Sequence, residues 1–332
     1  MDTAKVAIIG AGVAGLACAR ALRGAGIRAM VFDKGRGPGG RCSTRRSPFG
    51  RFDYGAQFFT VRDAGFRAQV AEWEEAGTCA EWGGRHVVSE GGAARAYDGD
   101  ARRVGTPSMN AIVKHEAALA GAQFGLRLGQ PTRQAAGPRW RLRGENGQSA
   151  WAADWVVTAV PAEQAAVLLP DAAHGGSDAL IAEAEAAGAD PAWTLMAAFE
   201  HGQAAPFDAA GARGGALSWI AREASKPGRE PGARWVAHAS ADWTRAHLED
   251  DKQAVVEALV PELRALIGED APLAHAEAHR WRYAQVARAA GSPFGLDADA
   301  GLATCGDWRI APRVEAAWVS GDALGRALAA RL

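Results

Sequence analysis

A buried strand runs directly into Gly10-Ala11-Gly12-Val13-Ala14-Gly15, and a helix follows at once. Beyond residue 190, strand segments recur at hairpin spacing between Ala/Glu-rich helical stretches. These two observations predict an α/β chain in two parts. One is a Rossmann-type domain; the other is an α+β domain built on an antiparallel sheet.

The first sixty residues carry the strongest signal. Lys5-Val6-Ala7-Ile8-Ile9 reads as a buried strand, residues 16–23 as a helix, and residues 27–32 as a second strand ending at Asp33. This is a βαβ unit with a phosphate fingerprint at its first turn. Gly10 permits the tight turn, Gly12 lets the backbone approach a pyrophosphate, and Gly15 lets the helix sit close to the strand. Val13 and Ala14, between these glycines, are further candidate contacts, and the N-terminus of the helix that follows offers free N–H groups and partial positive charge to phosphates. Asp33 is placed for ribose hydroxyls. Fingerprint and acid suit NAD and FAD equally. Lys34-Gly35-Arg36-Gly37-Pro38-Gly39-Gly40-Arg41 then supplies a glycine-rich loop with three cations, able to wrap more of a dinucleotide. Lys34, Arg36, Gly40 and Arg41 are its candidate contacts.

Later elements follow the same logic. Residues 98–109 cross back from a peripheral segment, residues 110–120 read as a helix and residues 124–128 as a strand. Thr132, in the Gln130-Pro131-Thr132-Arg133 stretch after it, is a further cofactor candidate. Residues 140–151 alternate around Glu145-Asn146-Gly147-Gln148, a hairpin signal. Residues 155–160 form a buried strand closed by Pro161. Strands are expected over 193–199, 216–220 and 235–240, with loops at 211–215 and 226–232. Residues 314–332 have helical period. The expected division is 1–60, 98–165 and 285–332 for the dinucleotide domain, and 61–97 with 166–284 for a substrate cap.

Composition narrows the classes. The chain has 332 residues, 48% hydrophobic and 23% charged, within the globular range. Thirty-seven cations against 38 anions leave no basic field for nucleic acid. Four cysteines without a Cys-x-x-Cys pair point to a reducing, cytoplasmic setting. The apolar start ends Ala17-Cys18-Ala19, like a secretory leader, but carries the fingerprint glycines and is expected to be retained. No uninterrupted apolar run is long enough for a membrane span. His275 and His279 lie four apart without a third ligand, so no metal site is expected.

An N-terminal GxGxxG, an acid and then Gly39-Gly40-Arg41 resembles the glutathione-reductase-type FAD proteins, in their amine-oxidase-like branch. Four further blocks are similar to those of the renalase family. They are Phe52-Asp53-Tyr54-Gly55-Ala56-Gln57-Phe58-Phe59-Thr60, His279-Arg280-Trp281-Arg282-Tyr283-Ala284, Cys305-Gly306-Asp307-Trp308 and the stretch from Arg313-Val314-Glu315-Ala316 to Gly321. The resemblance implies non-covalent FAD. Gly55, Ala56, Gln57, Phe58, Gly306, Asp307, Val314, Glu315 and Ala316 are its further cofactor contacts. Asp307 suits a ribityl hydroxyl, and the start of the closing helix would stabilise negative charge on the flavin ring.

The resemblance also implies a reaction. Isomers of NAD(P)H carrying the hydride at ring position 2 or 6 would pass it to flavin N5, with dioxygen reduced to hydrogen peroxide. The partners are then a small dihydronicotinamide dinucleotide and dioxygen, with neither nucleic acid nor membrane. Gln57, His238, His279, Trp281 and Arg282 are the substrate-side candidates. Arg282 can meet a substrate phosphate or pair with a surface carboxylate. Twelve tryptophans supply material for an aromatic wall. An FAD amine oxidase or desaturase, and a non-catalytic redox sensor, remain as other readings. The oligomeric state is not legible.

Overall fold

The computed structural model describes residues 2–90, 93–145, 147, 150–202 and 205–332. The opening strand, Asp2–Ile9, lies parallel to Ala150–Thr158 on one side and to Ala29–Phe32 on the other. Leu302–Thr304 adds a further parallel strand beside Ala150–Thr158. Val6, Ala7 and Ile8 have no exposed surface, as a strand covered on both faces requires. Trp140–Arg143 pairs antiparallel with the start of Ala150–Thr158, the two arms of the expected hairpin. Asn146 and Gln148 of its turn lie outside the described residues.

Helix Val13–Gly24 and the closing helix, Val314–Ala329, pack closely against each other. Two glycines four residues apart make this possible. A Cβ at Gly321 would stand 1.9 Å from the Ala14 carbonyl oxygen, and one at Gly325 would stand 2.6 Å from the Ala21 Cβ. Small residues on both sides bring the backbones together, and Leu324 and Leu328 fill the core beside them. Both ends of the chain therefore reach one place.

Residues 124–128 are not a strand. Gly125 has φ +73°, and its N–H donates to the Gly35 carbonyl at 2.7 Å. The Leu126 N–H donates to the Asp33 carbonyl at 3.0 Å. These donors go to the end of the second strand and the start of the glycine-rich loop, so the segment buttresses that junction, and Leu128 makes an isolated bridge to Gly144.

The second sheet runs Leu273–Arg288, Gly188–Phe199, Arg234–Ala239, Leu217–Arg222, Ala209–Arg213, His86–Glu90, Ala93–Ala96. Every neighbouring pair is antiparallel except Ala209–Arg213 with His86–Glu90. The expected loop at 211–215 begins inside a strand, because Gly211 pairs with Trp219 on one side and Val88 on the other. Sheet partners on both edges override the local preference of glycine for turns. Residues 61–97 divide. Helix Ala64–Glu75 sends Phe66, Val70 and Trp73 into the core shared with Leu16 and Trp318, whereas His86–Glu90 joins the second sheet. Among the described residues, no helix is long and apolar enough to cross a membrane.

Candidate functional site

A cavity of about 650 Å³ is lined from both regions. Gly12, Val13 and Ala14 come from the first turn, residues 55–58 from the loop after strand Gly50–Asp53, and Val314 and Glu315 from the closing helix. Trp219, His238 and Trp281 come from the second sheet. Such a volume is in the range of ligand and cofactor sites.

The three fingerprint glycines have separate roles. Gly10 has φ +112°, and a Cβ there would meet the Ala159 carbonyl oxygen at 2.4 Å. A Cβ on Gly15 would stand 2.0 Å from the Gly10 carbonyl oxygen. Both glycines are closed in by protein. Gly12 is different: nothing lies within 4 Å of the position its Cβ would take. It faces the cavity at the N-cap of Val13–Gly24, where the first helical N–H groups lack intrahelical partners. Gly40, at φ +52°, lies near this turn: a Cβ there would stand 3.9 Å from the Gly12 Cα.

Asp33 locks the turn. Its carboxylate accepts the Ala11 N–H at 2.8 Å and the Gly35 N–H at 2.7 Å, leaving further lone pairs for a ribose. Arg41 reaches across the chain to Asp307 in a two-pronged pair at 2.8 and 2.6 Å. Both residues line the cavity, so loop and C-terminal block are clamped at its edge. Gly55 is pressed onto Arg41, since a Cβ would stand 2.0 Å from the Arg41 carbonyl oxygen. Glu315 is buried and accepts the Arg62 and Asp63 N–H groups at 2.5 and 2.8 Å.

Behind residues 55–58 lies a buried charge cluster. Gln57, 4% exposed, donates from Nε2 to the carbonyls of Asp53 and Gly55, and its Oε1 accepts from Lys226 Nζ at 3.1 Å. Lys226 also donates to Glu223 at 2.6 Å and lies 3.6 Å from Asp53, which is paired with Arg229. Asp53 further accepts from Thr44 Oγ1 at 2.7 Å and the Met109 N–H at 2.9 Å. The side chains of Asp53, Glu223 and Lys226 have no exposed surface. Burial raises the Glu223 carboxyl above its ordinary range, while Lys226 and Arg229 hold Asp53 below its own despite burial.

The His238 ring lies 3.5 Å from Gln57 Nε2, and burial together with the Lys226 charge pushes it down to about 4. Burial lowers His279 to about 4 as well. Both imidazoles are neutral near pH 7. The unfolded chain takes up these protons near pH 6.5 and the folded chain only near 4. Stability is therefore complete above the unfolded value and is lost as pH falls from 6.5 toward 4. Thermal melts across this window are expected to show that decline, and His238→Gln to make it shallower; an unchanged slope would count against a buried neutral His238.

Trp281, Phe58 and Trp219 line the cavity, whereas Tyr54 and His279 pack against Trp281 outside the lining. Trp281 stacks on Tyr54 with centroids 5.0 Å apart and donates from Nε1 to the Tyr54 carbonyl at 3.1 Å. His279 meets both rings edge-on, at 4.8 and 4.6 Å. Phe58 and Trp219 face one another at 5.1 Å.

Other expected residues stand elsewhere. Arg282 pairs with Glu249 through two contacts, at 2.8 and 3.0 Å, on the surface, which is the carboxylate alternative and not a phosphate contact. Thr132 is on a short exposed strand, and Lys34 donates to Gln164 at 2.8 Å on an exposed face. Arg36 is exposed, and Ala316 is buried behind the cavity lining. His275 packs against Phe49 and Phe52. Lys226 and Trp219 were not singled out by sequence reading. Trp219 is one of twelve tryptophans, and nothing local marks Lys226.

Residues 8–70 match the model of the NAD(P)-binding Rossmann-like domain family, so a dinucleotide-binding domain is present. Over the whole chain the fold is shared with a protein assigned as a protoporphyrinogen oxidase from Exiguobacterium sp. 255-15, at TM-score 0.77 and 12% identity, covering 100% of both chains. It is shared also with a single-residue variant of putrescine oxidase, at TM-score 0.73 and 13% identity over 100% of both chains. Wild-type putrescine oxidase bound to putrescine matches at TM-score 0.70 and 14% identity, over 99% of this chain and 98% of that one.

Proposed function

We propose that the chain is an FAD-dependent oxidase that converts 2- or 6-dihydro isomers of NAD(P)H to NAD(P)+ while dioxygen becomes hydrogen peroxide. The observation carrying this reading is the single cavity lined by the glycine turn, by residues 55–58 and by the start of the closing helix. The choice of a dihydronicotinamide rests on the renalase-like blocks, all four of which contribute to the same lining, through Gln57, Trp281, Asp307 and Val314.

The residues present fit FAD. The bare face of Gly12 admits a pyrophosphate against the helix N-terminus. Arg41 and Asp307 would hold the ribityl chain, and the start of the closing helix at Val314 would bring its partial positive charge to the ring. Burial pushes the Cys42 and Cys305 thiols up to about 12, so neither is a thiolate ready for covalent attachment. FAD, when bound, supplies a two-electron acceptor that dioxygen can reoxidise. The chain supplies position. Trp281, Phe58 and Trp219 offer aromatic surface to a flat ring, and Tyr54 backs Trp281. Lys226 fixes which way the Gln57 amide points. Neutral His238 brings no positive charge to the floor. A dihydronicotinamide becomes aromatic on losing hydride alone, so no strong base is required of the lining.

An amine oxidase is the second reading, favoured by the shared fold of putrescine oxidase. Anaerobic mixing separates the two. Bleaching of the yellow protein by 6-dihydro-NAD, with slow or absent bleaching by NADH and by a panel of amines, is the expected result. Bleaching by an amine alone would install the second reading. A colourless protein that FAD cannot reconstitute would remove both.

A further inference from the structure

The charges around the cavity are unequal in what they have left to offer. Two carboxylates line it, and both are engaged: Asp307 by Arg41, and Glu315 by the Arg62 and Asp63 N–H groups. Two further arginines line it as well. Arg313 is exposed at the N-cap of the closing helix and pairs with no carboxylate among the described residues. Arg62 gives only its Nε to a carboxylate, that of Asp100 at 2.7 Å, in an exposed pair that water and salt weaken. Glu315 follows two residues after Arg313 and holds the Arg62 backbone, so the two cations share one rim.

A third cation stands behind the adjoining wall. Arg102 is only 4% exposed and lies over the rings of Tyr97, Phe58 and Trp219 at 3.8, 4.4 and 4.8 Å. Its Nε and Nη1 have no hydrogen-bond partner among the described residues. All three rings line the cavity. A buried guanidinium against the back of this wall places positive potential in front of it, which attracts an anion and repels an ammonium ion.

We propose that this rim holds an anionic, phosphate-bearing group of the substrate between Arg62 and Arg313, and that the same field excludes polyamines. The inference deepens the proposed reading. It rests on that reading for the reacting ring, but takes the charge from the rim alone. It also moves phosphate recognition from Arg282, which Glu249 engages, to two residues of the cavity itself.

The test uses the FAD-loaded protein, so that the glycine turn is occupied, and inorganic pyrophosphate as probe, followed by tryptophan fluorescence. Pyrophosphate is expected to bind, to bind about tenfold more weakly in Arg62→Gln and in Arg313→Gln, and to lose affinity as salt rises. Arg313→Glu is expected to lose it entirely. Equal binding by wild type and variants, no binding at millimolar probe, or tighter binding of putrescine would overturn the inference. So would variants that lose FAD rather than affinity for the probe. A second arm compares 6-dihydro-NAD with the phosphate-free 6-dihydronicotinamide riboside in anaerobic bleaching. Half-saturation at least about tenfold lower for the dinucleotide supports the rim. Equal half-saturation refutes it and leaves the oxidase reading standing. Bleaching by neither refutes the oxidase reading, and the pyrophosphate arm then decides the rim alone.

Discussion

Gly12→Glu is expected to abolish FAD retention while leaving the fold intact. Gly12 has φ −81° and ψ −176°, extended backbone that any residue adopts. Its missing Cβ has nothing within 4 Å, so a side chain meets no protein atom at its first carbon. What the side chain enters is the cavity, at the point where the helix start faces a pyrophosphate. Two unit charges 4 Å apart at an effective dielectric of 20 repel by about 4 kcal/mol, enough to weaken binding a hundredfold or more. The neighbouring glycines behave differently. An alanine at Gly15 would drive its Cβ to 2.0 Å from the Gly10 carbonyl oxygen, so Gly15→Ala damages packing before any ligand arrives. The two variants therefore separate binding from folding. Gly12→Glu purifies colourless and melts like cofactor-free wild type, whereas Gly15→Ala lowers the melting temperature even without cofactor. Full flavin content in Gly12→Glu would mean that the turn does not touch the cofactor.

That contrast also marks what a sequence can disclose. Gly10, Gly12, Gly15, Asp33 and Arg41 were legible because their roles are set by spacing within one βαβ unit and the loop that follows it. The closing helix was legible by its period. Its docking device was not singled out, although Gly321 and Gly325 stand four apart, because the partners that make them necessary, Ala14 and Ala21, lie at the other end of the chain. Residues 124–128 were misread because apolar alternation says nothing about where N–H groups go; here they go to the Gly35 and Asp33 carbonyls. Arg282 was ambiguous for the same reason: a cation's partner is a tertiary fact, and Glu249 is the partner. Arg102 and Lys226 look like ordinary charges in sequence, yet one is enclosed by three rings and the other has no exposed surface.

Lys226→Met is expected to lower stability by about 3–5 kcal/mol, the range for leaving one partner of a buried ion pair uncompensated. Lys226 meets Gln57 from a distance of 169 residues in sequence, and Arg229 meets Asp53 from 176. Methionine fills the space of the alkyl stem and removes only the charge. Asp53 tolerates the loss, because Arg229, Thr44 Oγ1 and the Met109 N–H remain. Glu223 does not. Its Oε1 loses the 2.6 Å contact with Lys226, and its Oε2 already has no partner among the described residues. Gln57 Oε1 is stranded beside it, and its amide loses the contact that sets its direction. The measurement is a double-mutant cycle by denaturant unfolding. Glu223→Gln alone is expected to cost less, since Lys226 keeps Asp53 at 3.6 Å and Gln57 Oε1 as partners. Lys226→Met with Glu223→Gln is expected to recover much of the single loss, because the uncompensated charge is gone. A double variant no more stable than Lys226→Met would locate the damage at Gln57 and Asp53 instead, and make Lys226 a support for the floor of the cavity rather than the partner of Glu223.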